Sequence, residues 1–122
     1  MGIYTVNIVG ESHYQDEIER CEAGELVDLR PEPGNRFDRR AIRVVSQADE
    51  TIGYLPRDGF LTRLIIDEEK PVFALIEHIT GGTPDRPSLG VVLNCATGGD
   101  GLEACRERGW SSEEISAKFP GY

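Results

Sequence analysis

The residues best equipped for chemistry fall in one short run, Glu32-Pro-Gly-Asn35-Arg36-Phe37-Asp38-Arg39-Arg40. It brings carboxylates, an amide, an aromatic ring and guanidinium groups within reach of one turn. Gly34 permits a positive φ, and Asn35 tolerates one and can hydrogen-bond its own backbone, so a tight turn is expected here. Asp38 can accept the backbone N–H of Arg39, Arg40 or Ala41 and hold that turn closed. Glu32, Asp38 and Asp58 form the one carboxylate grouping near the turn. Holding the turn asks less of Asp38 than metal chemistry would.

No catalytic constellation stands out elsewhere. Ser12 and His13 are adjacent, which does not make a triad, and neither Gly-x-Ser-x-Gly nor His-Glu-x-x-His occurs. Thr97-Gly-Gly-Asp-Gly-Leu102 has the wrong glycine spacing for a dinucleotide loop and no βαβ frame around it. Cys21, Cys95 and Cys105 are odd in number and lack paired spacing, so reduced, buried thiols are expected and a zinc site is not. No cofactor is implied.

The charge is unevenly spread. The 122-residue chain carries a formal net charge of −9, which disfavours nonspecific binding to nucleic-acid backbone or anionic membrane. Yet Arg30, Arg36, Arg39, Arg40 and Arg43 stand against only Glu32 and Asp38 in residues 29–45. They form either a local patch able to hold a few phosphates or the solvated face of a hairpin. The length suits one domain. No apolar run is long enough to span a membrane, and the N-terminus lacks a signal-peptide pattern, so a cytoplasmic location is expected.

The turn needs a frame. Ile42 to Val45 and Thr51 to Leu55 read as antiparallel strands joined by a loose connection over Gln47 to Glu50. Upstream, a first strand over Ile3 to Val9 points Tyr4, Val6 and Ile8 inward. A helix follows from His13 to Ala23, with a Ser12/Gln15 capping box, support from Asp16 with Arg20, and Gly24 as its stop. Glu25 to Leu29 is a second strand, halted by Pro31 and Pro33. Pro56 opens a helix over residues 57–69, with Asp58 in its first turn and Phe60, Leu61, Leu64 and Ile65 as its buried stripe. Val72 to Ile79 and Leu89 to Cys95 complete five or six strands. The expected class is mainly β with two or three helices, a small, partly open antiparallel β-barrel. Residues 1–96 make the barrel domain. Residues 97–122 are a helical extension with Trp110, Ile115 and Phe119 packed on it or binding a partner.

The pattern RPEPGNRFDRRAIRV followed by ETIGYLPRD, with IVGESHYQ before it, resembles the HIRAN domain over roughly residues 3 to 95. That module occurs in SWI/SNF-type DNA translocases and in bacterial and phage proteins. The resemblance implies an OB-like or SH3-like small barrel that reads the 3′ end of single-stranded DNA. Aromatic rings hold the terminal base, and an Asp receives the terminal hydroxyl. Asn35 and Asp38 match the family's Asn and Asp. Phe37 stands where Tyr is usual, keeping the stacking surface without the phenol, and Arg36 replaces Pro. DNA-reading members have Arg-Tyr where this chain has Ser12-His13. Tyr54 and Arg57 occupy positions where contact with nucleotide or phosphate is feasible.

The expected function is therefore a non-catalytic module recognising a single-stranded DNA end, accessory to a helicase or nuclease acting in trans, as in DNA repair. The alternatives are a protein-interaction module and, more remotely, a metal-dependent hydrolase component.

Overall fold

The computed structural model describes residues 2–57, 59–70 and 72–97, and beyond them only 103, 106, 107, 109, 111 and 113. Six strands, β1 (Gly2–Asn7), β2 (Leu26–Pro31), β3 (Ile42–Val45), β4 (Thr51–Tyr54), β5 (Val72–Thr80) and β6 (Gly90–Thr97), pair antiparallel in the order β1-β6-β5-β2-β3-β4. This is the expected barrel class. β5 lies between β6 and β2, as its two covered faces suggested. Ile18, Ile42, Ile52, Ile76 and Leu93 are fully enclosed and form the centre of the core. Cys21 and Cys95 are free thiols in the same core, and burial pushes their pKa values up to about 11 and about 12. Such thiols are inert near neutral pH. Among the described residues no helix is long and apolar enough to cross a membrane.

The barrel's open seam lies between its edge strands, β1 and β4. Among the described residues one backbone bridge spans it: Val9 N donates to the Tyr54 carbonyl at 2.8 Å, and Tyr54 N donates back to the Val9 carbonyl at 2.9 Å. A bulge makes this possible. Val44 faces Gly53 but Val45 faces Thr51, so Ile52 is an extra residue and both Ile52 and Gly53 turn inward. A Cβ on Gly53 would sit 2.7 Å from Ile8 Cδ1 and 2.8 Å from the Val9 carbonyl oxygen. Only glycine lets the two strands approach so closely.

The helices are shorter than their sequence suggests. Instead of one helix over residues 13–23, a 3-10 turn (Glu11–His13) precedes α1 (Gln15–Glu19), and Ser12 makes no capping bond. The Gln15 amide reaches across to Leu89 instead, so the capping box is absent. Arg20 pairs with Glu50 on the β3–β4 turn at 2.9 and 2.7 Å rather than with Asp16. α1 ends at Glu19 with Arg20 as its C-cap, so Gly24, at φ 89°, lies beyond the helix and is not its stop. β2 runs through Pro31, which faces Ile42 at the strand end. A terminal position costs proline no ladder bond.

The second helix begins at Phe60, not at Pro56. The Pro56 carbonyl accepts from Gly59 N and Thr62 Oγ1, forming a turn ahead of α2 (Phe60–Thr62), which continues as a π-helical turn over Arg63–Asp67. Leu61 and Leu64 are buried, but Phe60 is 46% exposed and meets Tyr4 at a ring distance of 5.0 Å. Asp58, and Cys105, Trp110, Ile115 and Phe119 of the extension, lie outside the described residues.

Gly53→Ala should therefore destabilise the fold by about 1–3 kcal/mol, the usual cost of overpacking. Gly34→Ala, where a Cβ meets nothing within 4 Å, should stay within about 0.5 kcal/mol of wild type. Urea denaturation of the two variants checks the contrast.

Candidate nucleic-acid interface

The Asn35 turn is built by side chains and not by positive φ, which neither Gly34 nor Asn35 adopts. Asn35 Oδ1 accepts the backbone N–H of Phe37 at 2.9 Å and of Asp38 at 3.0 Å. Asn35 N donates to the Glu32 carbonyl, and Asn35 Nδ2 donates to Glu32 Oε1 at 3.1 Å. Asp38 Oδ1 accepts the Arg40 N–H at 2.9 Å. These bonds fix the backbone at Phe37, a residue that is 88% exposed.

Asp38 is only partly engaged by the turn. Its Oδ2 faces Arg57 Nε at 3.7 Å, and Arg57 also donates to the Phe37 carbonyl at 3.4 Å. One carboxylate oxygen, one exposed ring and one guanidinium thus share a corner. The arginine patch is narrower than the sequence suggests. Arg30 pairs with Asp28 and Asp49, Arg40 with Asp67, and Arg43 with Glu32. Arg36 and Arg39 are exposed and have no carboxylate partner among the described residues. Within residues 29–45, the cations without a carboxylate partner among the described residues are therefore Arg36 and Arg39, beside Phe37.

Glu32 links this corner to the seam. Its Oε1 accepts from both Asn35 and the Tyr54 hydroxyl, the latter at 3.0 Å. Its Oε2 lies 3.4 Å from Arg43 Nε, close enough for an ion pair but not aligned for a hydrogen bond. The register places Arg43 opposite Tyr54, so β3 and β4 hold both donors over one carboxylate. Burial and then the hydrogen bond to Glu32 push the Tyr54 pKa from the ordinary 10.0 up to about 12. Tyr54 is therefore a strut whose hydroxyl is already committed.

Ser12 and His13 sit exposed on the 3-10 turn that begins just after the Val9–Tyr54 bridge, and this turn packs on β4. The His13 ring meets the neighbouring Tyr14 ring at 6.4 Å. The structure thus brings Asn35, Phe37, Asp38 and Arg57 together, with Arg36 on the same turn. It connects Ser12 and His13 to them through Tyr54.

A family model for the HIRAN domain matches residues 1–89. The chain belongs to the HIRAN domain family. That family is known for DNA-binding modules. The crystal structure of the HIRAN domain of human HLTF is 16% identical, covers 90% of this chain and 91% of its own, and superposes with a TM-score of 0.58. A protein from Lactobacillus plantarum is 25% identical, covering 80% of this chain and 100% of its own, with a TM-score of 0.54. The NMR structure of the HLTF HIRAN domain is 17% identical over 90% of each chain, with a TM-score of 0.54. These likenesses are of fold. No curated protein gives a match.

Sequence reasoning missed Glu32 as the hub and Gly53 as the residue that admits the seam. Glycine inside a strand pattern signals close backbone approach, so Gly53 was detectable in Ile52-Gly53-Tyr54-Leu55. Glu32 was not, because its partner Tyr54 lies 22 residues away.

Asn35→Ala should cost about 1–3 kcal/mol and speed hydrogen exchange at the Phe37 and Asp38 amides, because both lose their acceptor. Tyr54→Phe tests the strut. The folded-state pKa is raised, so the stability Tyr54 contributes is present below about pH 10 and is lost as pH rises toward about 12. The wild-type advantage over Tyr54→Phe in chemical denaturation should be constant to about pH 10 and disappear above it.

Proposed function

We propose that this chain binds the 3′ end of single-stranded DNA at the Asn35 corner and performs no chemistry on it. The observation that carries the reading is an almost fully exposed Phe37, on a backbone fixed by the Phe37 and Asp38 amides donating to Asn35 Oδ1, beside a partly exposed Asp38 carboxylate whose Oδ2 lies 3.7 Å from Arg57 Nε. A terminal base stacks on Phe37, and each such stack contributes about 1–3 kcal/mol. The terminal 3′ hydroxyl donates to Asp38 Oδ2. A continuing strand places a phosphate there instead, and a carboxylate repels it. Arg36, Arg39 and Arg57 take the last phosphates, while Ser12 and His13 face the strand from the other side of Tyr54.

The net charge of −9 suits this division. A long duplex meets repulsion from most of the surface, whereas an end engages only the cationic corner. The module serves in the cytoplasm as an accessory recognition unit for a helicase or nuclease supplied in trans.

Fluorescence anisotropy with short single strands at low salt tests the proposal. A free 3′ hydroxyl should bind more tightly than a 3′-phosphorylated end. Phe37→Ala should weaken all ends by about 1–3 kcal/mol, roughly 5- to 150-fold. Asp38→Asn, which keeps an oxygen for the Arg40 amide, should narrow the preference between ends. Equal, weak binding of free ends, blocked ends and duplex would instead mark a protein-interaction module.

A further inference from the structure

A polar cleft of about 270 Å³ separates the 3-10 turn from the β5–β6 loop, with Glu11 on one wall and Gly81, Arg86 and Ser88 on the other. Gln15 braces it. Its Nε2 donates to the carbonyls of Glu11 and Leu89, both at 2.9 Å, and its Oε1 accepts Leu89 N at 2.7 Å. One side chain thus ties the loop to the turn. The loop is also closed on itself. Thr83 and Arg86 exchange backbone bonds at 3.1 Å, Arg86 N also reaches Thr83 Oγ1, and Gly81 lies against the Ser88 carbonyl with no room for a Cβ.

Arg86 therefore stands on a braced loop. It is exposed and has no carboxylate partner among the described residues. The opposite element carries Ser12, whose hydroxyl is a poor phosphate ligand beside a guanidinium.

We propose that Arg86, from the β5–β6 loop, makes a strand-phosphate contact, so that the cleft holds one backbone phosphate of the single strand whose last nucleotide occupies the Phe37 corner. This rests on the end-binding reading above. A guanidinium offers paired donors to a phosphate, and the braced loop limits the ordering cost on binding. Glu11 on the facing wall opposes anions, which confines the site to a phosphate that Arg86 engages directly.

The experiment compares wild type, Arg86→Ala and Arg86→Lys on single strands with a free 3′ hydroxyl, across a salt series. A set of strands each carrying one neutral methylphosphonate linkage is titrated alongside. Arg86→Ala should weaken binding about two- to fivefold, as expected for one exposed charge contact. It should also make the slope of log K against log salt shallower by about 0.7. Arg86→Lys should retain the slope. One methylphosphonate position should weaken wild type and have no further effect in Arg86→Ala.

If wild type prefers free 3′ hydroxyls while Arg86→Ala matches it in affinity and slope, Arg86 is overturned and the end-binding reading survives. If wild type ignores the 3′ group yet Arg86→Ala still changes the slope, end recognition fails and the phosphate contact stands. Failure of wild type to bind any single strand overturns both.

Discussion

The fold depends on how the seam is closed. Edge strands β1 and β4 meet through one reciprocal pair of backbone bonds between Val9 and Tyr54, and the Tyr54 side chain then continues outward to Glu32. The same residue thus shuts the barrel with its backbone and props the Asn35 turn with its phenol. Two constraints follow. The strand approach excludes any side chain at position 53, and a half-buried phenol beside a carboxylate must stay protonated. Because the 3-10 turn starts directly after Val9, both lips of the interface are positioned by this one contact.

Rigidity at the corner comes from polar bonds and not from packing. An exposed loop with an exposed phenyl ring would ordinarily sample many conformers, and ordering it on binding would cost affinity. Asn35 removes much of that freedom by accepting two successive amides, and Asp38 and Glu32 fix the turn on either side. Electrostatics narrow the site further. Pairing Arg30, Arg40 and Arg43 with carboxylates of the same chain leaves Arg36 and Arg39, beside Phe37, as the cations of residues 29–45 without a carboxylate partner among the described residues, so the corner can attract an anion although the molecule as a whole repels one.

Much of this was legible from local pattern, because local chemistry decides it. The Ile42/Val44 alternation, the apolar runs of β5 and β6, and the Asn35-to-Asp38 spacing reflect near-neighbour physics. Elements decided at a distance were not legible. Gln15 looked like half of a capping box because its competing partner, Leu89, is far along the chain. Pro56 looked like a helix opener because its carbonyl's bond to Thr62 Oγ1 leaves no periodic trace. The count of arginines near the turn overstated the free cationic patch, since Asp49 and Asp67 return through the fold to neutralise two of them. Phe37 could be assigned to core or platform only once the turn's direction was known.

The most direct test is an amide chemical-shift titration of the labelled protein with a short single strand bearing a free 3′ hydroxyl, repeated with the same strand blocked by a 3′ phosphate. The account predicts perturbations concentrated at residues 35–40, 54 and 57, with those at Asp38 and Arg40 much reduced for the blocked strand. Perturbations that avoid the Asn35 turn, or that are identical for the two strands, would contradict it.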